Sequence, residues 1–142
     1  MAVYGLALLC KGDSVLFVER INASFGNGMY SLVGGKIEAG ESVLQGLIRE
    51  IYEEVGLRVQ AADAPLVHLF CRKGASEDVV AACFKIDISH LPEPYNKEPL
   101  KHRVINFFTY DSLPENILPM HKKALECIQQ AVLYSEDGYT LL

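Results

Sequence analysis

The strongest constraint on the fold lies between residues 42 and 57, where the sequence carries the start, the body and the end of one helix. Ser42, followed three residues later by Gln45, has the pattern of a capping box. Apolar residues then recur at helical spacing and form one stripe, made of Val43, Leu44, Leu47, Ile48, Ile51 and Val55. Gly56 stands where a C-terminal cap is expected, with Leu57 able to fold back on the last turn. The segment predicts an amphipathic helix over residues 42–55.

Acidic residues share one side of this predicted helix. At about 100° per residue, Glu50, Glu53 and Glu54 lie close together, and Arg49 stands four residues before Glu53, where the two can pair. Carboxylates this close repel one another, and hard divalent cations prefer carboxylate oxygens. Glu54 also lies at the margin of the apolar stripe, where an unpaired charge is costly to bury. The spacing indicates either a divalent metal site or a solvated acidic face, and spacing alone leaves both open.

Glycines beside the acidic residues add to the metal hypothesis. Gly46 lies one turn before Glu50, although glycine inside a helix costs about 1 kcal/mol relative to alanine. Its missing side chain leaves room either for ions and phosphates or for a neighbouring element. The pair Gly34-Gly35 lets backbone approach a ligand closely, and Glu41 stands at the helix mouth, where it can join or orient the cluster.

The rest of the chain alternates strand-like and loop-like segments. Runs rich in Val, Ile and Phe predict strands over residues 3–10, 15–20, 30–33, 65–72, 79–88 and 104–110. The first two form a hairpin, and residues 21–29 and 91–100 are predicted loops. Pro119 opens a final helix predicted to reach Tyr134, with Ala131 and Val132 on its inner side, and the last eight residues are expected to fray. With no repeat or linker, residues 1–142 are predicted to form one α/β domain.

Composition restricts the classes of function. Of the 142 residues, 50% are hydrophobic and 22% are charged, and the net charge is −5. This composition suits a folded core and argues against disorder. Without a basic surplus, a nucleic-acid polymer is a disfavoured partner. A small nucleotide remains open, because a metal ion can supply local positive charge.

The opening apolar run, residues 1–10, is too short to span a bilayer and has no basic residue before it. A strand is the better interpretation, so no membrane partner is expected and the cytoplasm is the expected compartment. The cysteines are far apart in sequence and have apolar neighbours, at Cys10, Cys71, Cys83 and Cys127. They are expected to be small buried residues in a reducing compartment rather than zinc ligands.

The glycine loop and the acidic helix together form an ordered motif. It reads Gly35-Lys36-Ile37-Glu38-Ala39-Gly40-Glu41, then seven residues, then Arg49-Glu50-Ile51-Tyr52-Glu53-Glu54-Val55-Gly56-Leu57. Every specified position is similar to the Nudix box, Gly-x5-Glu-x7-Arg-Glu-U-x-Glu-Glu-x-Gly-U, where U is a bulky aliphatic residue. A weaker resemblance to small bacterial MutT-like Nudix proteins extends over about residues 15–128. The resemblance implies a Nudix fold, a mixed β-sheet sandwiched between α-helices with the box as loop–helix–loop.

The resemblance also implies a set of site residues. The ligands implied for Mg²⁺, or for Mn²⁺ in its place, are the carboxylates of Glu50, Glu53 and Glu54, the carbonyl of Gly34 and, as an accessory, Glu41. Glu50, Glu53 and Arg49 would be catalytic, with Arg49 bracing Glu53. The implied reaction is attack of a metal-activated water on phosphorus in a nucleoside diphosphate-linked compound.

Many relatives add a carboxylate from outside the box, as a ligand or a general base. The candidates in this sequence are Glu77, Asp78, Glu93 and Glu98. Glu98 is preferred as the catalytic one, because it lies on a Pro-flanked loop ahead of the strand containing Phe107. The stretch before Phe107 is often acidic in relatives but reads Lys101-His102-Arg103-Val104 in this chain. This departure leaves the general base open.

The box does not specify the substrate. Arg20 could reach a phosphate or form a surface salt bridge, and Phe25, Asn27 and Tyr30 could bind a base or simply pack. The short, MutT-like chain favours nucleoside triphosphates, ordinary or oxidised, over nucleotide sugars and dinucleotides. A non-catalytic nucleotide-binding module is the alternative of another class, although such modules lose box carboxylates and none is lost in this sequence. Members of the family often form homodimers, and the sequence itself carries no signal for one.

Overall fold

One mixed β-sheet and two α-helices make up the fold in the computed structural model, which describes residues 1–140. The elements are β1 (Ala2–Lys11), β2 (Ser14–Arg20), β3 (Tyr30–Lys36), α1 (Val43–Val55), β4 (Leu66–Arg72), β5 (Val79–Asp87), β6 (His102–Thr109), α2 (Pro119–Gln129) and β7 (Tyr134–Asp137). Short 3₁₀ turns cover Ala61–Asp63 and Tyr110–Ser112. The predicted strands and the first helix are confirmed, with small shifts at their ends. No helix within residues 1–140 is long and apolar enough to cross a membrane.

The sheet has the order β6-β2-β3-β1-β5-β4-β7. Its central strand β1 pairs parallel with β5 along almost its whole length and antiparallel with β3. The predicted hairpin pairs Cys10 with Val15, and β3 then lies between β1 and β2 and pairs with both. The strand β3 therefore lies next to the central strand, and one helix packs on each face of the sheet.

Alternation along β1 builds a core on both faces of the sheet. Ala7 and Leu9 pack in the cluster that contains the α1 residues, whereas Leu6 and Leu8 pack in the cluster that contains the α2 residues. The buried apolar side chains of the two helices are Leu47, Ile51 and Val55 on α1 and Ala124 and Leu125 on α2. Each fully buried Leu or Ile contributes roughly 1.5–3 kcal/mol relative to exposure. The mixed sheet between two helices is the fold that the resemblance implies.

The C-terminal region differs from the prediction. The helix α2 ends at Gln129 rather than Tyr134, because Ala131 adopts a φ of 56° and the N–H of Val132 turns back to the carbonyl of Cys127 at 2.8 Å. The chain then forms β7, parallel to β4, which gives the outer edge of β4 a hydrogen-bonding partner. The predicted inner helical positions of Ala131 and Val132 and the fraying of residues 135–137 were therefore wrong. Residues 141–142 of that segment lie outside the described residues.

Two of the four cysteines have the buried environment that their apolar neighbours predict. Cys10 and Cys83 are buried, Cys71 and Cys127 are half-buried, and all are free thiols. Burial raises the pKa of the Cys83 thiol to about 12. A thiol in this state is a small packing residue rather than a reactive one.

Candidate active site

Local capping fixes the acidic helix at both ends. The N–H of Gln45 donates to Oγ of Ser42 at 3.1 Å, and the N–H of Ser42 donates to Oε1 of Gln45 at 2.8 Å, which confirms the capping box. At the other end Gly56 adopts a φ of 72° and donates to the carbonyl of Tyr52 at 3.0 Å. A left-handed residue of this kind favours glycine, and the cap sets where the loop after α1 begins.

The backbone of β3 comes into contact with two glutamates of α1. The N–H of Gly34 donates to Oε2 of Glu54 at 2.9 Å. The Glu50 carboxylate lies against Gly35, where an added Cβ would stand 2.6 Å from Cδ of Glu50. At Gly34 an added Cβ would stand 2.1 Å from the carbonyl oxygen of Gly5 on β1. Both positions therefore require glycine. At Gly34 the backbone of β1 approaches closely, and at Gly35 the Glu50 carboxylate does.

Burial raises the pKa of both of these carboxyl groups. Glu54 is 7% exposed, and the loss of hydration raises the pKa of its carboxyl well above its ordinary value. The N–H of Gly34 opposes this rise, whereas the charges of Glu50 and Glu98 reinforce it. Burial also raises the pKa of Glu50, although Arg49 offsets part of that rise. Both groups resist ionisation unless positive charge stands beside them.

Arg49 supplies positive charge to one side of the acidic cluster, which consists of Glu41, Glu50, Glu53 and Glu54. Its guanidinium donates to both oxygens of Glu41, at 2.7 and 3.1 Å, and Nη1 contacts Glu50 at 3.0 Å and Glu53 at 3.2 Å. Arg49 thus reaches Glu53, as the helical spacing predicts, and holds Glu41 more closely. The hydrogen bond with Glu41 lowers the pKa of that carboxyl and raises the pKa of Arg49.

The missing side chain of Gly46 leaves room for a neighbouring element, which was one of the two explanations for this glycine. An added Cβ would stand 2.6 Å from Cδ1 of Ile37 and 2.7 Å from Oε1 of Glu41. The loop before α1 therefore closes directly on the helix at this position. Because that loop carries Glu41, the glycine keeps this carboxylate within reach of Arg49.

Glu98 lies beside the same cluster. Its negative charge contributes to the raised pKa of both Glu50 and Glu54. The loop that carries it is tied to the end of α1, since the N–H of Lys97 donates to the carbonyl of Glu54 at 3.0 Å. The side chain of Glu98 is 23% exposed and forms an ion pair with Lys101 at 3.2 Å.

The other three candidate carboxylates outside the box have partners elsewhere. Glu77 lies 4.0 Å from Nζ of Lys36, Asp78 accepts from the N–H of Gly74 at 3.2 Å, and Glu93 pairs with Lys11. The structure therefore brings Glu98 beside Glu50 and Glu54, whereas Glu77 pairs with Lys36 at the start of the box and Asp78 and Glu93 have partners outside it.

The donor set fits a hard divalent cation in its chemistry. Glu54 is buried and Glu50 is half-buried, and burial together with neighbouring carboxylate charges raises the pKa of both, which a cation would reverse. Within residues 1–140, however, no three His, Cys, Asp or Glu side chains already converge as an ion-binding group. Arg49 draws Glu41, Glu50 and Glu53 toward itself in this conformation. A cation would have to draw Glu50 and Glu53 partly away from Arg49.

A cleft of about 290 Å³ opens next to the cluster, on the α2 face of the sheet. It extends across β3, β1, β5 and β4, and the start of α2 and the loop 21–29 wall it. Its polar lining residues are Tyr4, Arg20, Ser31, Glu54, Arg72 and His121. The volume lies near the lower end of the range for small-ligand sites. Glu54 is the residue that the cleft shares with the acidic cluster.

Two of the four residues predicted to bind substrate line this cleft. The guanidinium of Arg20 lies 4.8 Å from the ring centre of Phe25, and both residues are part of the lining. Nε of Arg20 is buried and has no hydrogen-bond partner among the described residues. Asn27 instead bonds the backbone N–H and carbonyl of Ala23 and closes its own loop.

Tyr30, the last of the four, does not line the cleft. Its ring packs edge-on against Phe108, with ring centres 5.1 Å apart. Its backbone accepts from the N–H of Leu118 at 2.9 Å and donates to the carbonyl of Asn116 at 2.8 Å. Tyr30 therefore anchors the start of α2 to β3.

Sequence reasoning missed two buried histidines. His121 accepts from the N–H of Leu32 on Nδ1 at 3.0 Å, and burial, helped by the charge of Arg20, lowers its pKa to about 4. His102 places Nε2 3.5 Å from Oε1 of Glu54, and burial lowers its pKa as well. His121 had a sequence signal, because it stands at helical spacing from the inner residues Ala124 and Leu125. The position of His102 depends on the loop that precedes β6 and had no such signal.

Comparison with known proteins assigns the chain to a family. The family model of the NUDIX domain matches residues 1–130. A solved structure, the MutT NUDIX hydrolase from Burkholderia pseudomallei, superposes with a TM-score of 0.77 and 27% identity, over 88% of this chain and 95% of that one.

Curated relatives match over shorter stretches. The NAD-capped RNA hydrolase NudC of Pseudomonas aeruginosa is 44% identical over 54 residues, which are 38% of this chain and 19% of that protein. The ADP-ribose pyrophosphatase of Methanocaldococcus jannaschii is 43% identical over 47 residues, which are 33% of this chain and 27% of that protein. The match thus spans less than a third of the length of each of these relatives.

Proposed function

The chain belongs to the Nudix hydrolase family, and we propose that it uses a divalent cation to cleave a phosphoric anhydride bond in a nucleoside diphosphate-linked compound. The observation that carries this proposal is the packing of half-buried Glu50 and buried Glu54 against Gly34-Gly35, beside a cleft with aromatic and basic lining. Carboxylates that burial pushes toward the neutral form gain most from a cation. A nucleotide provides phosphate oxygens that can share that cation.

The proposed cation is Mg²⁺, with Mn²⁺ as a substitute, because the available donors are all oxygens. The residues that would hold it are Glu50, Glu53, Glu54 and the carbonyl of Gly34, with Glu41 in support. When bound, such an ion lowers the pKa of a coordinated water and neutralises charge on phosphate oxygens. Arg49 orients Glu41, Glu50 and Glu53 through the bonds described above.

Hydrolysis also requires a group that takes a proton from the attacking water. We assign this role to Glu98. The assignment is supported by the influence of its charge on Glu50 and Glu54 and by its ion pair with Lys101, which holds the side chain beside the cluster. Glu50 and Glu53 are the catalytic carboxylates within the box in the same proposal.

The favoured substrate is a nucleoside triphosphate, ordinary or oxidised at the base. Arg20 supports this choice, because its buried Nε lacks a hydrogen-bond partner among the described residues and a phosphate oxygen would supply one. The ring of Phe25 is 63% exposed at the mouth of the cleft, where a base could stack on it. The volume of the cleft suits a small nucleotide rather than a polymer.

A pyrophosphate-linked dinucleotide or ADP-ribose is the second candidate substrate. The observation in its favour is that the curated relatives are named for NAD-capped RNA and ADP-ribose. These molecules share the phosphoric anhydride, so the same carboxylates would serve either substrate.

A hydrolysis screen tests the proposal. Nucleoside triphosphates, dinucleotides and nucleotide sugars are incubated with the protein and Mg²⁺ or Mn²⁺, and phosphate and nucleotide products are measured with and without excess chelator. We expect metal-dependent turnover of at least one compound, and its loss in Glu50→Gln. The matched control is Glu93→Gln, a surface carboxylate that pairs with Lys11 away from the cluster, which should keep the parent's rate. Full activity in chelator, or in Glu50→Gln, would contradict the proposal.

A further inference from the structure

His121 lines the cleft, and one of its two ring nitrogens already has a hydrogen-bond partner. The N–H of Leu32 donates to Nδ1 at 3.0 Å. A neutral imidazole has one protonated nitrogen and one acceptor nitrogen. Because Nδ1 accepts, the ring hydrogen of neutral His121 is on Nε2. The histidine therefore offers a single N–H donor from its remaining nitrogen.

This donor is uncharged at neutral pH. His121 is 8% exposed, and burial together with the positive charge of Arg20 lowers its pKa to about 4. It therefore cannot act as a cationic phosphate ligand, and its protonated Nε2 cannot act as an acceptor or a base. What remains is a neutral hydrogen bond to an acceptor on the ligand.

The start of α2 holds the ring in place. Tyr30 on β3 bonds Asn116 at 2.8 Å and Leu118 at 2.9 Å, so both backbone groups of this strand residue fix the residues just before Pro119. The bond to Leu32 then fixes the ring itself. A donor held this way loses little freedom when a ligand binds.

The charged residues of the cleft also favour an acceptor-rich ligand. Arg20 and Arg72 line it with His121, and both are donors only. The carboxylate in the lining, Glu54, belongs to the acidic cluster. We propose that His121 determines specificity by donating its Nε2–H to a carbonyl oxygen of the nucleobase, so that the cleft selects keto bases over amino bases. An exocyclic amino group in that position would place one hydrogen-bond donor against another. The Nε2–H of His121 would then be buried without a partner. The inference rests on the proposed function for its nucleotide ligand.

The experiment compares two purine nucleotides that differ in the group at C6 and, with it, in whether N1 carries a hydrogen. Inosine triphosphate has a carbonyl at purine C6, and adenosine triphosphate has an amino group there. In the parent protein, kcat/KM for inosine triphosphate should exceed that for adenosine triphosphate by roughly tenfold, the upper range for one neutral hydrogen bond.

Two variants separate the donor from the structural bond. In His121→Asn the side-chain oxygen can still accept from Leu32, but no donor occupies the Nε2 position. This variant should keep a melting temperature near the parent's and lose most of the tenfold preference. In His121→Gln the amide can donate from near the Nε2 position while the Leu32 bond is lost, so the melting temperature should fall and the preference should remain. A preference unchanged in His121→Asn, or a parent that prefers adenosine triphosphate, would overturn the inference.

Binding of the monophosphates distinguishes this inference from the proposed function. Inosine and adenosine monophosphates are titrated calorimetrically into the parent and into His121→Asn. Tighter inosine monophosphate binding that depends on His121, without hydrolysis of any compound in the screen, supports the inference and refutes the hydrolase. Hydrolysis with no discrimination in either assay, or no inosine monophosphate binding at millimolar concentration, overturns the inference.

Discussion

The strand β3 receives one buried titratable side chain from each helix layer, and the two have opposite environments. The N–H of Gly34 donates to Glu54 of α1 at 2.9 Å, and the N–H of Leu32 donates to His121 of α2 at 3.0 Å. Both side chains are almost equally buried. Burial favours the neutral form of each, raising the pKa of Glu54 and lowering that of His121.

The surrounding charges explain why these similar arrangements should have different uses. The charges of Glu50 and Glu98 act on Glu54 and add to the cost of ionising it. Arg20 acts on His121 and adds to the cost of protonating it. A cation bound beside Glu54 would lower the cost of ionising it, whereas His121 is stable as a neutral donor. We therefore expect metal chemistry on the α1 side of β3 and ligand recognition on the α2 side.

The largest expected effect is on turnover in Glu54→Gln. The amide oxygen can still accept from Gly34, so the packing is kept while the negative charge is removed. Metal-dependent turnover should fall on the order of a thousandfold, as when a group that stabilises transition-state charge is removed. The rate is measured under steady-state conditions on the best substrate of the screen, after circular dichroism has shown a parent-like fold. Turnover within tenfold of the parent would break the contrast, because Glu54 would then be only a packing residue.

On the other side of β3, acid should weaken the fold through His121. Its pKa is about 4 in the folded protein against 6.5 ordinarily, so the unfolded chain binds the proton first as the pH falls. The stability that depends on neutral His121 is therefore complete above pH 6.5 and is lost between pH 6.5 and pH 4. The loss attributable to this group is about 3 kcal/mol.

Urea unfolding across this window measures that effect. His102 also has a lowered pKa and contributes to the same window, so the comparison of the parent with His121→Asn isolates His121. The variant should lose less stability between pH 6.5 and pH 4 than the parent does. Equal losses in the two proteins would show that His121 is not held neutral by its surroundings.

Glu98 tests whether the acidic surroundings of Glu54 take part in catalysis. If Glu98 accepts the proton, Glu98→Gln should lower turnover on the order of a hundredfold, the usual weight of general acid–base catalysis. The Michaelis constant should change little by comparison. Glu93→Gln is the matched control, since Glu93 pairs with Lys11 away from the cluster. A Glu98→Gln rate within threefold of the parent would retire the assignment and leave the box residues untouched.

Local patterns made much of the fold predictable from the sequence. The capping box at Ser42 and the cap at Gly56 involve residues within one turn of each other, so short motifs report them reliably. Alternation of apolar residues predicted the strands, and helical spacing brought Arg49 within reach of Glu53. Contacts between residues of the same helix could therefore be predicted from the sequence alone.

Contacts between distant segments were not predictable in the same way. Glu54 and Gly34 are 20 residues apart, and His121 and Leu32 are 89 apart, so both bonds depend on where the sheet places β3. The strand β7 forms because β4 has an outer edge to pair with, which no local pattern near Tyr134 records. Asn27, which looked like a base-binding residue, instead bonds Ala23 four residues away.

The smallest expected effect is on thermal stability, and it tests both sides of β3 together. Without a cation, the charge of Glu98 raises the cost of ionising Glu50 and Glu54, and the charge of Glu50 adds to that cost for Glu54. Mg²⁺ at ten times its dissociation constant should stabilise the folded parent by about 1.4 kcal/mol. For a chain of this size that corresponds to a rise of a few degrees in melting temperature.

Two variants decide whether this response belongs to the α1 side. Glu54→Gln removes a charge that burial disfavours, so it should melt above the parent without Mg²⁺ and respond little to it. His121→Asn leaves the acidic cluster intact and should keep the parent's response. The measurement is a set of calorimetric melts with Mg²⁺ or with chelator. An equal Mg²⁺ response in Glu54→Gln and the parent would place the binding elsewhere. A response lost in His121→Asn would mean that the two sides of β3 are coupled rather than independent.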